Sequence, residues 1–211
     1  MNTPTIPKNR LEGLSDATFA IVLTLLVIEI HVPELSDPDF YSLMHGFFEL
    51  WPLFVGYFVS FAVLAMFWMS HNFLYSISAK NINRQLVFLN LLFLCLIALV
   101  PFFSHLIGRY WEEPFAVALY GSHILLIALT HSVITAYAYY SNEIETEHVP
   151  SRIRKQGMVR SGVTIVSTML GIGAAFVFIP LALFLFALPI VFNVIPGLLN
   201  RAERLFGFTL S

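Results

Sequence analysis

The sequence predicts an all-α membrane protein with six transmembrane helices, and three observations predict it. The first is composition. Hydrophobic residues fill 58% of the 211 positions and charged residues only 11%. With glycine counted, the apolar share is about 63%, against roughly 45–50% in soluble domains, where charge makes up about a quarter. The second is run length: the apolar runs are long and continuous, as helices crossing a core of about 30 Å require. Barrel strands would be short and alternate in polarity. The third is the uneven placement of basic residues. Together these exclude a disordered chain, a coiled coil, a nucleic-acid binder and an ordinary soluble enzyme. The single cysteine, Cys95, excludes an internal disulfide and a cysteine-rich metal site. Within its apolar run it reads as a small inert hydrophobe.

The elements follow in chain order. A polar start carries Lys8 and Arg10, and span one covers about 14–32, apolar from Ala17 to Ile28 and on to Val32. It reads as a span and not a cleaved leader. Its core ends in Glu29-Ile30-His31-Val32-Pro33, without the paired small residues of a cleavage site. Span two covers about 49–73, span three 85–107 and span four 115–139. From Ser161 to Asn200 there is no charged residue over 40 positions. One helix of that length would measure about 60 Å, twice the hydrocarbon core. The stretch therefore divides into span five, 161–179, and span six, 181–199. Pro180 marks the turn, since proline cannot continue a helix without losing a bond, and Pro189 is expected to kink the sixth span. The 211 residues read as one membrane domain, without internal repeat or soluble module.

Basic residues set the orientation. Lys8 and Arg10 precede span one, Lys80 and Arg84 lie between two and three, Arg152, Arg154, Lys155 and Arg160 between four and five, and Arg201 and Arg204 after six. Only Arg109 falls in an odd-numbered loop. A ten-to-one split places both termini in the cytoplasm and the loop of residues 34–39 outside. The protein is expected to be a multi-pass protein of the plasma membrane.

Ionisable groups at membrane depth call for an account. Span one opens with Arg10-Leu11-Glu12-Gly13-Leu14-Ser15-Asp16, and span two closes with Trp68-Met69-Ser70-His71-Asn72. One span runs outward and the next returns, so these segments share a depth. Trp68, His71 and Asn72 share a helix face. A paired network of Arg10, Ser15, Asp16, Trp68, His71 and Asn72 would make buried charge tolerable. The plainer readings are a helix cap for Ser15 or Asp16, a water-exposed pair for His71 and Asn72, and a membrane-interface aromatic for Trp68.

The stretch Arg10-x-x-x-Leu14-Ser15-Asp16 resembles the R-x-x-x-F-S-D signature of the transmembrane protein 175 family of potassium channels. The similarity continues through Ser15-Asp16-Ala17-Thr18-Phe19-Ala20-Ile21, and Trp68 to Asn72 resembles the family's tryptophan–histidine–asparagine stretch on the second helix. Leu14 departs from the usual phenylalanine, one large apolar residue for another. A single copy of the signature implies the single-repeat bacterial form. The resemblance implies a homotetramer of six-span chains with the first helix lining a central pore.

The helical wheel of span one reads as follows. At about 100° per residue, with Ile21 at the origin, Leu25 falls near +40°, Ile28 near −20°, Thr24 near −60° and Asp16 near −140°. One stripe is therefore apolar with a hydroxyl at its flank, and the acidic residue points elsewhere. By itself such a stripe faces lipid or packs in a bundle. The resemblance implies instead that Ile21, Leu25 and Ile28 line a narrow pore and that Thr24 takes part in ion selection.

Other constellations are weaker. His123 and His131 are eight residues apart on span four, a rise of about 12 Å, too far to share a metal ion; they read as interhelical hydrogen-bond partners. His31, His45 and His105 lie near the outer surface, and Glu29 at the outer end of span one either draws cations to a pore mouth or is a solvated end residue. Asn90, Thr130 and Asn193 read as polar contacts between helices. Enzyme signatures are absent, and so is the T-V-G-Y-G filter of conventional potassium channels. The expected function is a potassium-selective channel with a hydrophobic constriction that also gates. It needs no cofactor, and its only ion is the permeant K+. The alternatives are a secondary ion or small-solute transporter, which would show inverted repeats and broken helices, and an accessory membrane protein.

Overall fold

The computed structural model of the chain describes residues 7–35, 37, 39–78, 82–141 and 150–194. Among them every regular element is helical: α1 Lys8–Ile28, α2 Phe40–Glu49, α3 Trp51–Ser78, α4 Arg84–Ala98, α5 Val100–Arg109, α6 Pro114–Tyr140, α7 Ser151–Ala175 and α8 Ile179–Val194. Five stretches are long and apolar enough to cross a membrane: α1, α3, the joined α4–α5, α6 and α7; α8 is a shorter apolar helix. The protein is a multi-pass membrane protein. Lys80, Arg201, Arg204 and the end of the sixth span read to 199 lie outside the described residues.

Helix α1 begins at Lys8, ahead of the apolar run, because Lys8 and Glu12 pair at 3.5 Å across one turn and leucine and glutamate are good helix formers. Helix α7 likewise starts at Ser151, not 161, directly after Pro150. The intervening Arg152, Arg154 and Lys155 extend the helix beyond its apolar segment, and the Arg154 guanidinium lies 5.7 Å from the Tyr140 ring centroid.

Three further features depart from the sequence reading. The first is α2, a short helix in the outer connection, fixed by a capping box. Ser42 N–H donates to the Asp39 carboxylate at 2.7 Å, and the Asp39 N–H donates to the Ser42 hydroxyl at 3.0 Å. The second is a break in span three at Leu99, with Pro101 at the start of α5. The third is the turn between the last two spans, which occupies 176–178 and precedes Pro180. Proline suits the first turn of a helix, where its missing N–H would have no partner, so Pro180 starts α8 and does not interrupt the chain. Pro189 lies inside α8.

Helix α6 is central, packed on α3, α4, α5, α7 and α8. Close approach is bought with glycine. A Cβ on Gly108 would stand 2.7 Å from Leu53 Cδ2, so α5 crosses α3 at that point with nothing between them. Phe186 of α8 wedges between Gly121 of α6 and Gly171 of α7, and a Cβ on either glycine would collide with its ring. By contrast α1 sits at the edge, in contact with α3, α4 and α5 on one side only.

Candidate functional site

That one-sided packing divides α1 into two faces. Leu11, Ser15, Phe19, Val22 and Leu26 are buried, a spacing of three and four residues that keeps them on one stripe. Opposite them, Ile21 is 58% exposed, Leu25 41% and Ile28 63%, whereas Phe19 and Leu26 are each 1% exposed. Gly13, Leu14, Asp16, Ala17, Ala20, Thr24 and Val27 are exposed as well. The described residues therefore leave the stripe read from the wheel largely exposed, and its small residues let another backbone come near. Thr24 donates its hydroxyl to the Ile21 carbonyl at 2.7 Å, leaving its oxygen lone pairs directed away from the helix.

The polar residues form two separate groups behind and beside this face. Ser15 is the centre of the first. Its Oγ donates to the Leu11 carbonyl at 2.9 Å and accepts from the Asn90 amide at 3.2 Å. His71 Nε2 lies 3.2 Å from the same oxygen. A hydroxyl has one proton and two lone pairs. With the proton on Leu11, His71 must donate, which assigns the neutral ring its Nε2–H tautomer. All three side chains are buried. Around them pack the rings of Phe19, Phe93 and His131, with His71 and Phe93 centroids 5.2 Å apart and Phe93 and His131 5.5 Å apart.

The second group is Asp16 and Trp68. The indole Nε1–H donates to the Asp16 carboxylate at 2.9 Å, on the exposed side of the α1–α3 seam. Arg10 and Asn72 are exposed, and their side chains make no hydrogen bond or ion pair with either group among the described residues. The six residues read as one network therefore divide: Ser15 with His71, Asp16 with Trp68, and Arg10 and Asn72 apart. Asn90 is the partner that sequence reasoning did not place. It was visible only as one of several asparagines within apolar runs, because its contact lies 75 residues away in the chain.

At the outer end, Glu29 meets His105 of α5 at 3.4 Å, and His45 meets Glu49 at 3.3 Å. His123 stacks on Phe103 with centroids 4.0 Å apart. No group of three or more metal-ligating side chains occurs among the described residues.

Comparison with known proteins bears on this helix pair directly. The family model for the endosomal/lysosomal potassium channel TMEM175 matches residues 10–101, which covers α1, α3 and α4 and so every partner of Ser15 and Asp16. A potassium channel of Streptomyces collinus is 31% identical over 194 residues, 89% of this chain and 93% of that one. A potassium channel of Chamaesiphon minutus is 30% identical over 182 residues, 80% of this chain and 89% of the other. Among solved structures, the crystal structure of a lysosomal potassium-selective channel TMEM175 homolog from Chamaesiphon minutus superposes with a TM-score of 0.77 at 25% identity, covering 89% of this chain and 96% of that chain. The likeness therefore extends from the signature at Arg10 through the whole bundle, and the chain belongs to the TMEM175 family.

Proposed function

We propose that the protein is a potassium-selective channel of the plasma membrane, assembled as a homotetramer around four copies of α1. The observation that carries this reading is the unpartnered face of α1. It is apolar at Ile21, Leu25 and Ile28, small at Gly13, Ala17 and Ala20, and bears at Thr24 a hydroxyl whose proton goes to the Ile21 carbonyl and whose oxygen can still accept. Membership of a family whose relatives are named potassium channels gives that face a use.

Four copies of this stripe around an axis make stacked apolar rings, about 5.4 Å apart per helical turn. Ile21 forms the tightest ring and Leu25 and Ile28 the next ones outward. An ion must shed part of its hydration to pass. Potassium holds its water less tightly than sodium, so a narrow apolar ring disfavours sodium more, and the same ring closes by dewetting. Thr24, at the flank, offers an oxygen to a partly dehydrated ion. Both termini lie in the cytoplasm in this arrangement.

Single-channel current and reversal potential in a planar bilayer, under mixed potassium and sodium, test the assignment. Wild type should give linear, potassium-selective single-channel currents; slow, saturating flux would mean a transporter. Ile21→Asn should wet the ring, raise conductance and weaken discrimination against sodium, and Thr24→Val should move the reversal potential without changing oligomer size. If Ile21→Asn left both quantities unchanged while Leu91→Asn on the exposed surface of α4 altered them, the pore would lie elsewhere.

A further inference from the structure

Between α3, α6, α7 and α8 lies a cavity of about 420 Å³, within the range of small-molecule sites and many times the ~30 Å³ share of one water. It lies at the same membrane side as Ser15, His71 and the basic run Arg152, Arg154, Lys155 that opens α7. Its walls are of two kinds. Met66, Phe67, Met69 and Phe73 of α3 make one apolar side, and Ser132, Ser161, Thr164 and Asn193 make a polar one. Arg160 of α7 borders the polar side.

Arg160 is the unexplained group. Its Nε is buried with no hydrogen-bond partner, and no carboxylate pairs with its guanidinium among the described residues. His131, 8% exposed, borders the same cavity, and its Nε2 also has no partner. A half-buried guanidinium at the membrane edge, its Nε unpartnered, is favoured by an anion that pairs with it. Among the described residues no carboxylate meets the guanidinium, and the cavity lies beside it with the Ser161 hydroxyl on its wall. A guanidinium matches phosphate through two parallel N–H bonds, and basic pockets between membrane helices on the cytoplasmic side suit anionic headgroups.

We propose that this cavity is a binding site for an anionic phospholipid. The headgroup phosphate sits on Arg160 with the Ser161 hydroxyl as a neutral donor, and an acyl chain lies along Met66, Met69 and Phe73. The apolar wall decides between a lipid and a free phosphate ion, since inorganic phosphate would leave that wall in water. The site is separate from the α1 face and does not depend on the channel reading.

Short-chain phosphatidylglycerol, short-chain phosphatidylcholine and inorganic phosphate are titrated against the full chain in neutral detergent, read by thermal stability and by native mass spectrometry. Phosphatidylglycerol should raise the melting temperature and remain bound, and the other two should not. Arg160→Gln should weaken phosphatidylglycerol by about tenfold or more, the loss of one charged hydrogen-bonding partner. Arg160→Lys should retain part of the effect, and Arg109→Gln at the opposite membrane face should retain all of it. Ser161→Phe fills the cavity while leaving Arg160 in place, and should abolish binding without changing oligomer size. That variant keeps the test open if Arg160→Gln folds poorly. Equal stabilisation by inorganic phosphate, undiminished phosphatidylglycerol binding in Arg160→Gln and Ser161→Phe, or loss of the oligomer in Ser161→Phe with no lipid effect would each overturn the proposal. The last would mark the cavity as a seat for a neighbouring subunit.

Discussion

Ser15 uses all of its hydrogen-bonding capacity: one proton given to Leu11 and two lone pairs filled by Asn90 and His71. It ties α1 to α3 and α4 at one buried point, and so fixes how α1 turns its other face outward. Ser15→Ala would orphan two buried donors, at about 1–3 kcal/mol for each group left unsatisfied. Thr18→Val removes a hydroxyl whose one bond runs to its own helix, at the Leu14 carbonyl, and should stay within about 0.5 kcal/mol of wild type, as exposed changes do. Thermal melts of the two variants in the same detergent check the contrast; equal losses would deny Ser15 its bridging role. At this scale the sequence was partly legible. The opposite directions of spans one and two brought Trp68, His71 and Asn72 to the depth of Ser15 and Asp16, and their spacing put them on one face. It could not say which of Ser15 and Asp16 each would meet, because adjacent residues on a helix point about 100° apart and the partner's rotation is a tertiary fact.

Among elements, the long helices were legible because a run of apolar residues is itself the physical requirement for crossing a bilayer. Their ends were less so. Charged turns such as Lys8 to Glu12 and Ser151 to Lys155 continue a helix in water and leave no hydropathy signal. Helix α2 is ten residues long, too short to register as a span, and its Asp39-x-x-Ser42 cap is seen only in the structure. Hydrogen bonds from Ser42, side chain first and backbone second, hold the Asp39 carboxyl below its ordinary value of 3.8. A depressed carboxylate adds stability above its ordinary value and loses it as pH falls through the depressed one. Hydrogen exchange across α2 should therefore be faster in Asp39→Ala than in wild type at pH 6. The difference should shrink on acidification below the ordinary carboxylate range. A gap of constant size down to strongly acidic pH would mean that the charge plays no part. The glycine contacts make a second test of element packing. Gly121→Val drives a side chain into the buried Phe186 ring, an overpacking that costs about 1–3 kcal/mol. Gly173→Ala, where nothing lies within 4 Å of the added carbon, should melt at or above the wild-type temperature.

For the whole molecule, orientation rests on whether α8 crosses the membrane, since an odd number of spans would separate the termini. Its 16 described residues measure about 24 Å, against a core of ~30 Å. Length alone would allow a helix lying on the surface. Packing argues otherwise. Phe186 sits between Gly121 and Gly171, and a surface helix could not insert a ring between α6 and α7. Further along, the Asn193 amide reaches the Thr164 hydroxyl at 3.4 Å, so α8 returns antiparallel along α7 from the turn at 176–178. We propose on this ground that α8 is the sixth crossing, which would place both ends on one side, and the excess of lysine and arginine in the even-numbered connections assigns that side to the cytoplasm. With Cys95 replaced, a cysteine at Asp37 should react with an impermeant maleimide on intact cells and one at Ser151 only after permeabilisation. A fluorescent protein fused after Ser211 should fold and fluoresce, as it does only in the cytoplasm. Labelling of the Ser151 position from outside would invert the orientation. A dark C-terminal fusion together with the expected cysteine pattern would mean that α8 does not cross, and that Phe186 holds its place against α6 and α7 from a helix that turns back.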